Sequence, residues 1–99
     1  MLELDGLHAA DFAPLLHGNF RIKLGNHSLE LELVEVNESQ RKRPTETRAP
    51  FSLLFKGAPN QLLPQHMYRI EQETLGAMDL FIVPVRADQS GCYYEAIFN

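Results

Sequence analysis

Apolar and polar residues alternate along much of this chain with the period of two that is typical of strands with one buried face. The stretch FRIKL, residues 20–24, alternates apolar with basic positions, and SLELEL, residues 28–33, alternates leucine with serine or glutamate. Between them, Gly25 and Asn26 tolerate a positive φ, which predicts a hairpin turn. The pattern therefore predicts two antiparallel strands joined by a tight turn.

The apolar positions of the second strand change parity near residue 33. Leu29, Leu31 and Leu33 share one parity, whereas Val34 and Val36 have the other. Because a slip of one residue exchanges the two faces of a strand, a β-bulge near Leu33 and Val34 would keep all five apolar side chains inside. The alternative is that this end of the strand is covered on both faces.

The stretch YRIEQETLGAMDLFIVPV, residues 68–85, fits either a helix with an apolar stripe or a hairpin. Gly76 and Pro84 would interrupt the helix, so we predict a hairpin that turns around Leu75 and Gly76. Its returning half is apolar at nearly every position, which predicts a strand buried on both faces or packed under the N-terminal helix. Proline cannot donate to a ladder, so Pro84 is expected at an edge, at a bulge or at the strand end, and we expect the strand to end near it.

Two more alternating stretches, FSLLF at 51–55 and CYYEAIF at 92–98, predict further strands, and HAADFAPLL at 8–16 supports a short helix or a helical turn. The connections are too short for the crossover helices of a parallel sheet. We therefore predict a single, mainly β domain over residues 1–99. It would contain about six antiparallel strands in a small barrel or two-layer sandwich, with one short N-terminal helix.

Composition narrows the class of protein. The chain has 99 residues, of which 44% are hydrophobic and 22% charged, as is usual for a globular protein with one core. Its formal net charge of -4 argues against a nucleic-acid partner, which requires a basic surface. The first residues do not resemble a signal peptide and no apolar run is long enough to span a membrane, so we expect a cytoplasmic protein that does not associate with membranes. Cys92 is the single cysteine, which excludes an internal disulfide.

Candidate catalytic and metal-binding side chains lack the spacing that such chemistry requires. The four histidines form no closely spaced pair, and Cys92 has no legible activating partner. The glutamates occupy alternate strand positions, which is typical of a solvated outer face: Glu30, Glu32, Glu71 and Glu73. We therefore expect no metal, no cofactor and no enzymatic activity.

The segment 39–50, SQRKRPTETRAP, is predicted to be the one long loop, because it is polar, contains prolines and has no periodicity. Four of the nine basic residues lie in it, and a concentrated positive charge on an acidic protein is able to select an acidic partner. A mobile, solvated loop is the competing interpretation. The predicted partner-binding residues are Arg41, Lys42, Arg43 and Arg48.

The C-terminal half, YRIEQETLGAMDLFIVPV followed by GCYYEAIFN, resembles an uncharacterised family of short bacterial proteins, and DFAPLLHGNFRIKL near the N-terminus is similar as well. The shared pattern consists of turn and core positions and contains no catalytic motif. The resemblance implies a domain of unknown function, of which some members are encoded near phage-tail-collar-like proteins. By association it implies an accessory or assembly role.

Two hypotheses of function follow. The first is a non-enzymatic interaction or assembly module that binds a protein partner or itself, for instance as an accessory to a phage-tail-like structure. The alternative is a small-ligand-binding barrel or an enzyme with a pocket near Tyr68 and Tyr94, which would need a cavity with converging polar groups.

Overall fold

Six antiparallel strands form a closed barrel with one short helix at its N-terminal side. The computed structural model describes residues 6–39 and 49–99. Its elements are α1 (Ala9–Phe12), a 3₁₀ turn (Ala13–Leu15), β1 (Asn19–Leu24), β2 (His27–Glu38), β3 (Phe51–Gly57), β4 (His66–Gln72), β5 (Gly76–Asp88) and β6 (Gly91–Phe98). The predicted fold class is confirmed, and of the two predicted arrangements, barrel and sandwich, the structure has the barrel.

The strands lie around the barrel in the order β1-β2-β3-β6-β5-β4. β3 lies beside β6 and not beside β4, so residues 58–65, which join β3 to β4, cross to the opposite side of the barrel; we call this segment the crossing loop. The barrel closes between β1 and β4, where only two residue pairs are in register. We call this contact the seam, and its pairs are Arg21 with Glu71 and Ile22 with Ile70.

Alternate residues of every strand point into the barrel and fill it with apolar side chains, as the period of two predicts. At one end, which we call the upper end, α1 places Phe12 over the opening. The centroid of its ring lies 6.4 Å from that of Phe20, 5.8 Å from Phe51 and 5.5 Å from Phe98. A helix of four residues is not stable by itself, so its position depends on this aromatic contact.

The predicted β-bulge in β2 is present. The register between β2 and β3 shifts between Leu33 and Glu35, which leaves Val34 as the extra residue. Leu31 and Leu33 are buried and Val36 packs against the core, whereas Leu29 and Val34 are only half-buried. The bulge thus brings the end of β2 back into phase, but it does not place all five apolar residues inside.

The predicted hairpin of residues 68–85 is also present, and its turn precedes Gly76, which has a φ of 88°. The side-chain oxygen of Gln72 accepts hydrogen bonds of 2.7 Å from the backbone N–H groups of Thr74 and Leu75, which fixes the turn. These contacts explain why the chain reverses at the predicted place.

Two details of the returning strand were predicted wrongly. β5 does not end near Pro84 but continues to Asp88. Of the three places expected for Pro84, the bulge is the one that occurs, since the register shifts between Pro84 and Arg86. β5 is also buried on one face only: Met78, Leu80 and Ile82 point inward, while Phe81 on the other face is 48% exposed. Hydrophobicity alone did not distinguish core positions from exposed apolar ones.

Neither of the two helical segments in the described part of the chain combines the length and the apolar content needed to cross a bilayer.

Candidate functional site

The basic residues that the sequence singles out as partner-binding lie outside the described residues: Arg41, Lys42, Arg43 and Arg48. At the base of their loop, the backbone N–H of Ser39 donates a 2.8 Å hydrogen bond to the carbonyl oxygen of Pro50. This bond holds the two ends of the loop together. The role of the four basic residues stays a prediction.

The histidines and carboxylates do not converge on a metal site within residues 6–39 and 49–99. His17 has a φ of 69°, which is uncommon for a residue other than glycine. Its backbone N–H donates to the carbonyl oxygen of Leu33 at 2.6 Å, and its Nδ1 lies 3.1 Å from Oε2 of Glu32. These contacts attach the segment after the 3₁₀ turn to β2, so the unusual conformation of His17 has a structural explanation.

Tyr68 and Tyr94, on which the ligand-binding hypothesis depends, both bond the crossing loop at the lower end of the barrel. The hydroxyl group of Tyr94 accepts a 3.0 Å hydrogen bond from the N–H of Leu63 and donates one of 3.0 Å to the carbonyl oxygen of Gln61. The Tyr68 hydroxyl donates to the carbonyl oxygen of Pro64 at 2.7 Å. Both hydroxyl groups are engaged with backbone, and the ligand-binding hypothesis stays a prediction.

The three tyrosines occupy different electrostatic environments. Burial raises the pKa of Tyr94, an effect that the N–H of Leu63 partly offsets, and burial also raises the pKa of Tyr68. Tyr93 lies near the tip of the β5–β6 hairpin. There a hydrogen bond with the Ser90 hydroxyl, and to a smaller extent Arg86, whose guanidinium carbon lies 4.0 Å from the centre of the ring, lower its pKa.

We expect an alkaline titration to separate these tyrosines. Tyr93 should ionise first, while Tyr68 and Tyr94 stay neutral above pH of about 10, the value of a free tyrosine. Since their folded-state pKa values are raised, their contribution to stability is present below the unfolded pKa and is lost as the pH rises through the folded pKa. Absorbance near 295 nm, recorded together with circular dichroism, should therefore show one early step and a later one that coincides with unfolding.

The variant Tyr93→Phe provides the control, because it should remove the early step and leave the late one. Three tyrosines that ionise together near pH of about 10 without unfolding would contradict the described burial and hydrogen bonds.

An open groove of about 580 Å³ lies on the outer surface beside the seam. Arg21 lines it together with three carboxylates on β2, on β4 and in the following turn, Glu30, Glu71 and Glu73. In register, Arg21 lies opposite Glu30 on one side and Glu71 on the other. Glu30 and Glu71 lie on the outer face of their strands, as predicted, whereas Glu73 lies in the turn after β4 and not on a strand.

Three large apolar side chains lie exposed on the outer face of β4, β5 and β6, where the alternation of a half-buried strand calls for polar residues. Met67 is 53% exposed, Phe81 48% and Ile97 63%. Met67 and Phe81 are paired across β4 and β5, and Ile97 lies on β6 two residues beyond Glu95, the last residue of β6 that is in register with β5. We call Met67, Phe81 and Ile97 the apolar row.

Charged residues flank the apolar row on both sides. Arg69 on β4 and Asp79 on β5 each lie two residues along the strand from a member of the row, and Nε of Arg69 lies 3.7 Å from Oδ1 of Asp79. On the other side, Glu95 on β6 pairs in register with Val83 on β5. The row is thus an apolar strip with a cation–anion pair along one border and an anion along the other.

The apolar row is the feature that sequence reasoning missed, although a signal for it existed. Ile97 has the parity of Tyr93 and Glu95, opposite to that of the buried Tyr94 and Ala96, and Met67 has the parity of Arg69. An apolar residue at an outward position is unremarkable singly. The pairing of β5 with β4 and with β6 brings three of them to one face.

Comparison with known proteins places most of the chain in one family. Residues 7–98 match a family described as a domain of unknown function, DUF6916. Neither the curated proteins nor the solved structures include a match. The match begins two residues before α1 and ends at the last residue of β6, and so includes all the elements from α1 to β6. The chain therefore belongs to the DUF6916 family.

Proposed function

We propose that this protein is a non-enzymatic interaction module that binds a protein partner through the outer face of β4, β5 and β6. The observation that supports this proposal is the apolar row, since Met67, Phe81 and Ile97 remain 48% or more exposed in the folded chain. Contiguous exposed apolar side chains with a charged rim are typical of protein interaction sites.

The apolar row is also suited to binding because it lies on strands that are held by pairing and by the core beneath them. β5 pairs with β4 over its first half and with β6 over its second half. The inward residues that alternate with the row are buried, among them Tyr68, Leu80 and Ala96. An interaction surface on paired strands loses little conformational entropy on binding.

A more specific form of the proposal is an accessory role in a phage-tail-like assembly, which the resemblance described above suggests.

The proposal is tested by photo-crosslinking in cells that naturally contain the protein. A p-benzoylphenylalanine residue in place of Phe81 should give a covalent adduct with a protein on irradiation. The matched control carries the same residue in place of Ser28, which is exposed on β2, on the opposite side of the barrel. Absence of an adduct from position 81, or equal yields from both positions, would overturn the proposal.

A further inference from the structure

The charged residues beside the apolar row are arranged symmetrically about Phe81. Arg69 lies on the neighbouring strand β4, where it pairs with Asp79, two residues before Phe81 on β5; Phe81 itself pairs with Met67. Glu95 lies on the other neighbouring strand, β6, where it pairs with Val83, two residues after Phe81 on β5. Standard sheet spacings put each of them about 8 Å from Phe81, at opposite corners of the face.

We propose that the partner of this face is a second copy of the chain, an inference that rests on the proposed function. A twofold axis that lies in the interface and passes over Phe81 exchanges the two corners. It brings Arg69 of each copy onto Glu95 of the other, and Phe81 onto Phe81. An isologous interface of this kind requires a surface that complements itself.

The same axis brings Met67 of one copy near Val83 of the other. Phe81, Met67 and Val83 then form the centre of the contact, and the two Arg69–Glu95 pairs form its rim. The strands of the two copies cross at a steep angle, close to the orthogonal way in which two sheets pack face to face. A partner with charges of one sign would complement only one of the two corners.

Size and charge indicate a weak dimer. The face spans three strands and a few residues of each, which is less than the roughly 800 Å² per partner of a standard interface. Each copy also carries a formal net charge of -4, so two copies repel one another except where Arg69 meets Glu95. We therefore expect a dissociation constant of about 10 µM or weaker.

Charge exchange tests this geometry directly. In sedimentation velocity runs from about 10 µM to about 1 mM protein, the natural chain should shift from monomer towards dimer. Arg69→Glu and Glu95→Arg should each weaken the homodimer about tenfold or more, because each places like charges at both corners. An equimolar mixture of the two variants should associate again, since every corner then joins a glutamate to an arginine. The chain that carries both substitutions should dimerise as well.

Thermal melting of each variant identifies a failure to fold. If Arg69→Glu loses stability beside Asp79, the mixture and the double variant still measure whether residues 69 and 95 meet across the interface. A natural chain that stays monomeric throughout, or a mixture that associates no better than its components, would overturn the dimer.

The crosslinking experiment separates this inference from the proposed function. An adduct from position 81 with the mass of two chains supports the dimer. An adduct with a different protein, found together with a monomeric purified chain, overturns the dimer and leaves the interaction module in place. The absence of any adduct overturns both.

Discussion

A chain that ends at Tyr93 is expected to be unfolded. β6 pairs with β3 on one side and with β5 on the other, so its removal interrupts the barrel in the middle of the strand order rather than at an edge. Truncation after Tyr93 also removes three buried side chains, those of Tyr94, Ala96 and Phe98. The two aromatic losses alone, at about 3–5 kcal/mol each, approach or exceed the roughly 5–15 kcal/mol by which a domain is stable.

Circular dichroism and thermal melting of the truncated chain check this expectation. We expect no cooperative transition and no dispersed amide signals in an NMR spectrum. A chain that ends at Phe98 serves as the control, because it loses Asn99 alone and keeps β6 complete. A soluble variant that ends at Tyr93 and melts cooperatively would show that β6 is dispensable and that the described pairing is wrong.

The substitution Phe12→Ala should lower the free energy of unfolding by about 3–5 kcal/mol. Phe12 is fully buried, and its ring contacts Phe20, Phe51 and Phe98, which come from three different strands. Since α1 is too short to persist alone, we expect the loss of this ring to detach α1 and to open the upper end of the barrel. Urea denaturation measures the free energy, and hydrogen exchange measures the detachment.

Phe81→Ala is the matched control, because it makes the same chemical change at a position that is 48% exposed. We expect it to cost about 1 kcal/mol. If the two variants lost equal stability, Phe12 would not be the residue that anchors α1.

The predictions from sequence that succeeded depend on the period of the strand. Alternation assigned inward and outward faces correctly for β1, where Phe20 and Ile22 are buried and the two basic residues are exposed. The parity change in β2 likewise indicated its bulge, because a half-buried strand cannot exchange faces without an extra residue.

The apolar row could not be predicted in this way, because it depends on which strands are neighbours. Phe81 lies in a continuous apolar run, where periodicity does not separate the two faces. Ile97 joins Met67 and Phe81 on one surface only because β6 lies beside β5 in the closed barrel. The hydrogen bond between Tyr94 and Leu63 joins residues 31 positions apart, and no local pattern indicates it.

The seam has a consequence for the order in which the barrel assembles. β1 with β2, β4 with β5, and β5 with β6 are local hairpins, and β3 joins β6 through seven residue pairs. Pairing β1 with β4 closes a long loop but forms two residue pairs alone. The seam therefore offsets less of the entropy cost of loop closure than the other strand pairings do. We infer that β1 and β4 meet last during folding and separate first in the native state. In kinetic terms the barrel is a six-stranded ribbon that closes last, where β1 meets β4.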